Sequence, residues 1–147
     1  MPVLTKKPQR AAGFTLIELM IVLFILGLLA ALVAPRLMGR VGKAKQKSAQ
    51  AQLQMLGTAL DLYHLDVGRY PTEGEGLKAL FHKPETASSW AGPYLNKEVP
   101  KDPWGRDYVY KFPGEHGPYD LYSLGADGQP GGEGENSDIT NWQENPQ

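Results

Sequence analysis

Apolar side chains are distributed along this chain in three ways, and each predicts a different structure. Residues 14–34 read FTLIELMIVLFILGLLAALVA, an apolar run with one charge, Glu18, and no proline. At 1.5 Å per residue it makes a helix of roughly 31 Å, long enough to cross a hydrocarbon core. Further on, the apolar positions thin to a stripe. Leu53, Leu56, Leu60, Tyr63 and Val67 recur at helical spacing, with Gln50, Gln54, Thr58 and Asp61 off it. Gly68 suits a C-terminal cap and Pro71 blocks continuation. The two stretches predict one long helix from Phe14 to about Val67, its first half in lipid or a filament core and its second half against a small head.

After Val67 the pattern breaks into short pieces. Glu75 to His82 predicts a short second helix with Leu77, Leu80 and Phe81 apolar. Residues 83–106 read as ordered loop. Asp107–Phe112 and Tyr119–Leu124 alternate as strands, joined by the turn chemistry of Pro113-Gly114-Glu115-His116-Gly117-Pro118, and a third short strand fits around Ile139–Trp142. The predicted fold is α+β: a long N-terminal helix packed on a head with a short second helix and a C-terminal antiparallel sheet of about three strands. Pro35, with Gly39 and Gly42 nearby, is the weak point of the long helix. A kink at the membrane boundary and a functional hinge both fit it.

Composition narrows the function. The 147 residues carry 15 Lys+Arg against 16 Asp+Glu, a net charge of -1, which argues against a dedicated nucleic-acid binder. With no cysteine, disulfides, thiol nucleophiles and zinc-thiolate sites are excluded. His64, His82 and His116 are scattered and form no metal-binding or nucleophile motif, so an anchored enzyme has nothing to support it. A cleaved secretory signal would use Lys6, Lys7 and Arg10 as its basic region. The apolar run is too long for that, and Pro35 follows it where a cleavage site would be expected. Arg36, Arg40, Lys43, Lys45 and Lys47 follow the span, so a count of basic residues puts the C-terminal side in the cytoplasm. A long helix leading into a translocated head puts it outside. Both orientations stand on the residues alone.

Glu18 is the most informative single residue. A carboxylate one turn inside an apolar span costs on the order of 2.5–3.5 kcal/mol by insertion scales and calls for a partner or for snorkelling to the interface. Around it, Lys-Lys-x-x-Arg and then Gly13 directly before Phe14-Thr15-Leu16-Ile17-Glu18-Leu19 resemble the class III leader of type IV pilins and type II secretion pseudopilins. The resemblance implies a leader over residues 1–13, cut between Gly13 and Phe14 by a prepilin peptidase that also methylates the new Phe14 amino group. It implies that Glu18 pairs with the N-terminal ammonium of a neighbouring subunit during assembly, and that the helix stretches near Pro35.

The rest of the chain resembles the major pseudopilins of type II secretion, the G subunits. The segments that carry the likeness are Leu60-Asp61-Leu62-Tyr63, Gly68-Arg69-Tyr70-Pro71-Thr72, Glu75-Gly76-Leu77-Lys78-Ala79-Leu80, Asp102-Pro103-Trp104-Gly105, the run from Tyr119 to Gly128, and Asp138-Ile139. The implied organisation is a helix over 14–67, with 14–34 in the inner membrane, and the remainder of a periplasmic head over 68–147. The implied function is that of the main subunit of a periplasmic pseudopilus that drives folded proteins through an outer-membrane secretin. Its partners would be further copies of itself, minor pseudopilins, the prepilin peptidase, the inner-membrane assembly platform, the secretin and, before assembly, membrane lipid. A type IV pilin of an adhesion or motility filament, or a minor pseudopilin, is the alternative. Type IV pilins usually staple the tail with a disulfide, so here something else must hold it.

Gly125 to Asp138 reads GADGQPGGEGENSD, with five glycines, four acids and no large apolar residue. Such composition fits a solvated acidic tail. The oxygen-rich side chains also suit a hard cation, calcium before magnesium or zinc, and Ile139 and Trp142 beyond them are apolar enough to dock. The resemblance implies a calcium loop over 124–138. Asp127 and Asp138 would supply carboxylates, Leu124 and Gln129 main-chain carbonyls, Asn136 or Ser137 a further ligand, and Glu133 and Glu135 would stay in water.

Overall fold

The structure is a computed structural model that describes residues 13–143, excluding the side chains of 34–38. The basic residues Lys6, Lys7 and Arg10 of the expected leader lie outside the described residues. The chain divides into two compact units, Met1–Gly39 and Arg40–Gln147. One helix, α1 (Leu16–Val67), contributes to both, and its backbone is helical through Pro35.

In the first unit, α1 opens at Thr15. The Thr15 hydroxyl accepts the Glu18 N–H at 3.3 Å, and the Thr15 carbonyl accepts the Leu19 N–H at 3.2 Å. Threonine three residues before glutamate is the sequence signature of a helix start. Leu16–Val33 has a mean hydropathy of 2.9 and none of it is buried. Ile17, Phe24, Leu28 and Leu32 are all more than half exposed. A soluble core helix would bury such side chains, so this one is long and apolar enough to cross a membrane and is built to be covered by something else.

In the second unit the predicted stripe faces the core. Leu53, Leu56, Leu60 and Tyr63 are buried together with Ala49 and Ala59, and they meet Leu77, Leu80, Leu95, Tyr108, Tyr119, Leu121 and Ile139. Every buried core side chain among the described residues belongs to this unit, which therefore carries its own core. Gly68 ends the helix at φ +82, a conformation that glycine adopts without strain, with its N–H on the His64 carbonyl at 2.8 Å. The short second helix is a 3-10 turn, Gly76–Leu80, that buries Leu77, Ala79 and Leu80. The long loop after it is ordered by side chains. Trp90 Nε1 donates to the Ala79 carbonyl at 2.8 Å, and the Tyr94 hydroxyl reaches Asp66 on α1 at 2.9 Å.

The sheet has three antiparallel strands in the order β1 (Val109–Lys111), β2 (Asp120–Ser123) and β3 (Ile139–Thr140). Val109 pairs with Tyr122, Lys111 with Asp120, and Ser123 with Ile139. β2 is central and does not alternate cleanly: Asp120, Leu121 and Ser123 are all buried. Its two buried polar groups are satisfied. Ser123 Oγ donates to Asp102 at 2.7 Å, and Asp120 accepts the N–H groups of Glu115 and His116.

The tail is held without a disulfide. The Asn141 side chain accepts the Leu121 N–H at 2.9 Å, and the Asn141 N–H donates to the Leu121 carbonyl at 3.0 Å, extending the ladder past β3. Trp142 stacks on His116 with centroids 4.1 Å apart and planes within 2°, and His116 Nδ1 lies 3.0 Å from Asp120. Burial alone would raise Asp120. The hydrogen bonds from His116 and from the two backbone N–H groups outweigh it and leave the carboxyl below its ordinary value.

The turn after α1 is clasped by Glu75. Its carboxylate accepts two bonds from the Arg69 guanidinium, at 2.7 and 2.8 Å, and others from the Thr72 N–H and the Thr86 hydroxyl. The Arg69 bonds, helped by Thr86 and Thr72, hold the Glu75 carboxyl well below the usual carboxylate range against the opposing effect of burial. A depressed carboxylate stabilises the fold fully above its unfolded value near ~4.3, and that contribution is lost as pH falls toward the folded value. Glu75→Gln should therefore lower stability by about 2 kcal/mol at neutral pH. It should also flatten the acid limb of the stability curve below about pH 4. Urea melts of wild type and variant across pH check both effects.

Candidate functional site

Two regions carry the candidate chemistry. At the N-terminus, Gly13, Phe14 and Thr15 lie ahead of α1 and are exposed, and Glu18 sits in its first turn. Glu18 is exposed, and its backbone N–H is capped by Thr15. The N-terminal end of a helix carries partial positive charge, which favours a carboxylate there. In water this arrangement needs nothing more. In an apolar environment the carboxylate needs a cation, and the amino group that cleavage after Gly13 would create at Phe14 is the nearest in sequence.

The second region is the loop from Leu124 to Asp138. Its local order comes from backbone geometry rather than apolar burial. Ala126 N–H donates to the Glu135 carbonyl at 2.9 Å and Asp138 N–H to the Gly131 carbonyl at 3.2 Å, so the outgoing and returning limbs are tied together. Gly125 has φ +64, and a Cβ there would lie 2.8 Å from the Ser137 carbonyl oxygen, so the limbs approach through a position only glycine fills. Asp127 Oδ1 accepts the Gln129 N–H at 3.0 Å, and Asp138 Oδ2 accepts the Gly131 N–H at 2.9 Å. The Leu124 carbonyl accepts the Gly128 N–H at 3.2 Å.

Asp138 Oδ1 is the telling atom. It is buried and has no hydrogen-bond donor. Buried polar atoms are nearly always satisfied, and a bare carboxylate oxygen facing inward is what a cation would occupy. Among the described residues no group of three or more His, Cys, Asp or Glu is placed to hold a metal. A cation in this loop would therefore complete its shell with backbone carbonyl, amide or water oxygens, which suits calcium and not zinc. The residues present fit that ion.

Several supporting residues were not evident from the pattern. Arg106 reaches across the loop, donating to the Gly125 carbonyl at 2.7 Å and the Ala126 carbonyl at 2.9 Å. Arg106 is positioned in turn by Asp102, whose buried carboxylate accepts the N–H groups of Trp104 at 3.1 Å and Arg106 at 2.8 Å, and the Ser123 hydroxyl. The Asp102-Pro103-Trp104-Gly105 turn was the available signal, since aspartate ahead of such a turn accepts backbone N–H groups. Glu135 makes a contact that the pattern did not indicate. It is exposed, yet its carboxylate lies directly over Gly42 of α1.

The model of the family "Type II secretion system (T2SS), protein G" matches residues 36–142, and that of the prokaryotic N-terminal methylation motif matches residues 8–34. The Type II secretion system core protein G of Vibrio cholerae serotype O1 is 49% identical over 140 residues, covering 93% of this chain and 95% of the relative. The protein of the same name from Escherichia coli K12 is 50% identical over 137 residues, covering 91% and 92%. The crystal structure of the major pseudopilin from the type 2 secretion system of enterohaemorrhagic Escherichia coli superposes with a TM-score of 0.62 at 39% identity, over 74% of this chain and 95% of that one. With its exposed apolar helix, its three-stranded head and these matches along nearly its whole length, the chain belongs to the type II secretion system protein G family.

Proposed function

We propose that this chain is the major structural subunit of a type II secretion pseudopilus, polymerising through its N-terminal helix to help drive folded proteins through the outer-membrane secretin. The single observation that carries this reading is the family match joined to an 18-residue apolar segment with nothing buried in its own fold. In the membrane, lipid covers that segment; in a filament, the same segments of neighbouring copies cover it. The Glu18 carboxylate and the Phe14 ammonium of an adjacent copy neutralise each other there, and Pro35 provides the hinge for any stretching on assembly. The head stands in the periplasm, and the minor pseudopilins, the assembly platform and the secretin are its partners.

The loop from Leu124 to Asp138 is a calcium site in this reading. Asp127 and Asp138 supply the carboxylates, and the Leu124 and Gln129 carbonyls are further ligands. The ion supplies a positive centre that satisfies the bare Asp138 oxygen. Arg106 steadies the outgoing limb, and Asp102 steadies Arg106. The work of the protein is structural: its residues bind, pair and hold shape.

Processing tests the reading. A prepilin peptidase that cuts after Gly13 should leave a mature chain starting at N-methylated Phe14, and Gly13→Leu should leave the uncut precursor in the inner membrane. Intact-mass spectrometry of membrane fractions reads both. A mature protein that keeps Met1, or starts after Ala34, contradicts the assignment.

A further inference from the structure

The loop that would hold calcium is fastened to α1 through Gln46. Gln46 Nε2 donates to the Gly134 carbonyl and to the Ser137 hydroxyl, the latter at 3.1 Å. The Ser137 hydroxyl itself donates to the Gly134 carbonyl at 2.9 Å, so the three groups form a closed set. One turn earlier on the same helix face, Gly42 is buried beneath Glu135. A Cβ at residue 42 would lie 1.9 Å from Glu135 Oε1, so the absence of a side chain there creates the seat. The residues seated, 134–137, form the returning limb that leads directly into Asp138. Gly42 and Gln46 follow closely in sequence on the division between the two compact units at Gly39 and Arg40.

We infer that Gln46 and Gly42 form a latch that couples the order of the 124–138 loop to the base of the head's helix, so that calcium in the loop also stiffens α1 around residues 42–50. The inference rests on the calcium reading for its trigger and on Gln46 for its transmission. Coupling needs a contact whose strength differs between the ordered and loose states of the loop. The latch supplies such a contact: its acceptors are a backbone carbonyl and a hydroxyl on the returning limb. Fixing Asp138 with an ion would hold both in place, and a wandering glycine-rich limb would displace both. By linkage the effect is mutual, and losing the latch should loosen the limb.

The test uses the full chain in detergent, with amide hydrogen exchange measured in chelator and in calcium chloride, for wild type, Gln46→Glu, Gln46→Ala and the control Gln54→Ala. Gln46→Glu keeps the size of the side chain but has no N–H to donate. In wild type, calcium should slow exchange on the order of tenfold both in the loop and at residues 42–50, the scale of one or two net hydrogen bonds. In the two Gln46 variants the loop should still respond while residues 42–50 do not, and in chelator Asn136 and Ser137 should exchange faster than in wild type. Gln54→Ala should behave as wild type. A wild-type loop that responds to calcium while residues 42–50 stay indifferent overturns the latch. If calcium slows exchange nowhere, the calcium reading fails by itself. The chelated samples then decide the contact: faster exchange at Asn136 and Ser137 in Gln46→Glu upholds it, and unchanged exchange overturns it.

Discussion

Removing calcium from the head should lower its melting temperature by more than ten degrees, and restoring it should reverse the loss. An ion that binds the folded loop and not the unfolded chain stabilises by RT ln(1 + [L]/Kd), or ~2.7 kcal/mol at a hundredfold excess over Kd. For a domain of this size each kcal/mol shifts the midpoint by roughly 4–8 °C. The Arg40–Gln147 unit carries its own core, so the melt can be followed on that unit alone. Magnesium should rescue poorly, because it demands near-octahedral geometry and gives up water reluctantly, whereas calcium accepts a flexible shell of carbonyls. Asp138→Ala should abolish the response, since it removes the bare buried oxygen and the acceptor of the Gly131 N–H. Asp127→Ala should abolish it as well. Glu133→Ala should retain it, because that side chain is exposed and outside the proposed ligand set. A midpoint indifferent to chelator would reduce the loop to a solvated acidic segment.

The second large effect is expected at Glu18. Its carboxylate costs on the order of 2.5–3.5 kcal/mol in an apolar span, so Glu18→Ala should insert into the membrane as well as wild type or better. If the proposed pairing holds, the same change leaves the N-terminal ammonium of the neighbouring copy without a counter-charge. Stranding one member of a buried pair costs about 3–5 kcal/mol, which is roughly two to three and a half orders of magnitude in each subunit addition. Filaments visible by electron microscopy from overproduced wild type should be absent from Glu18→Ala. Glu18→Asp, with a shorter reach, should be intermediate. Filaments of normal number from Glu18→Ala would contradict the pairing.

Much of this was legible because periodicity reports burial. Leu53, Leu56, Leu60 and Tyr63 were spaced for one helical face, and that face is the core. Gly68 and Pro71 marked the helix end where it falls. The strands were placed but drawn too long: Asp107–Phe112 shrinks to Val109–Lys111, because a strand extends only as far as its partner's backbone can pair with it, and β2 is short. The short helix is a 3-10 turn for a related reason, since five residues between Gly76 and Phe81 give too little length for α-helical bonding to offset the cost of nucleation.

What the sequence hid was long-range. Nothing local to Arg106 says that its guanidinium will meet carbonyls some twenty residues away, and nothing local to Gln46 points to Gly134. Asp120 and Ser123 read as ordinary polar strand positions, yet the central strand buries them, and the turns around them supply N–H donors to Asp120 and a carboxylate acceptor to Ser123. The Thr15–Glu18 cap is a local motif that sits at the start of the apolar run, where the same carboxylate also stands out as a charge within a membrane-length segment. The clasp that replaces a disulfide, Trp142 stacked on His116, joins residues from two separate turns and becomes visible only once the sheet has formed.

If this chain is the main building block of a secretion filament, export depends on it. In a cell whose copy of this gene is deleted, proteins normally released by the type II system should accumulate in the periplasm. Wild type supplied in trans should return them to the medium, and Glu18→Ala, although stable and inserted, should not. Secretion that continues unchanged without this chain would show that it is not the filament's main subunit.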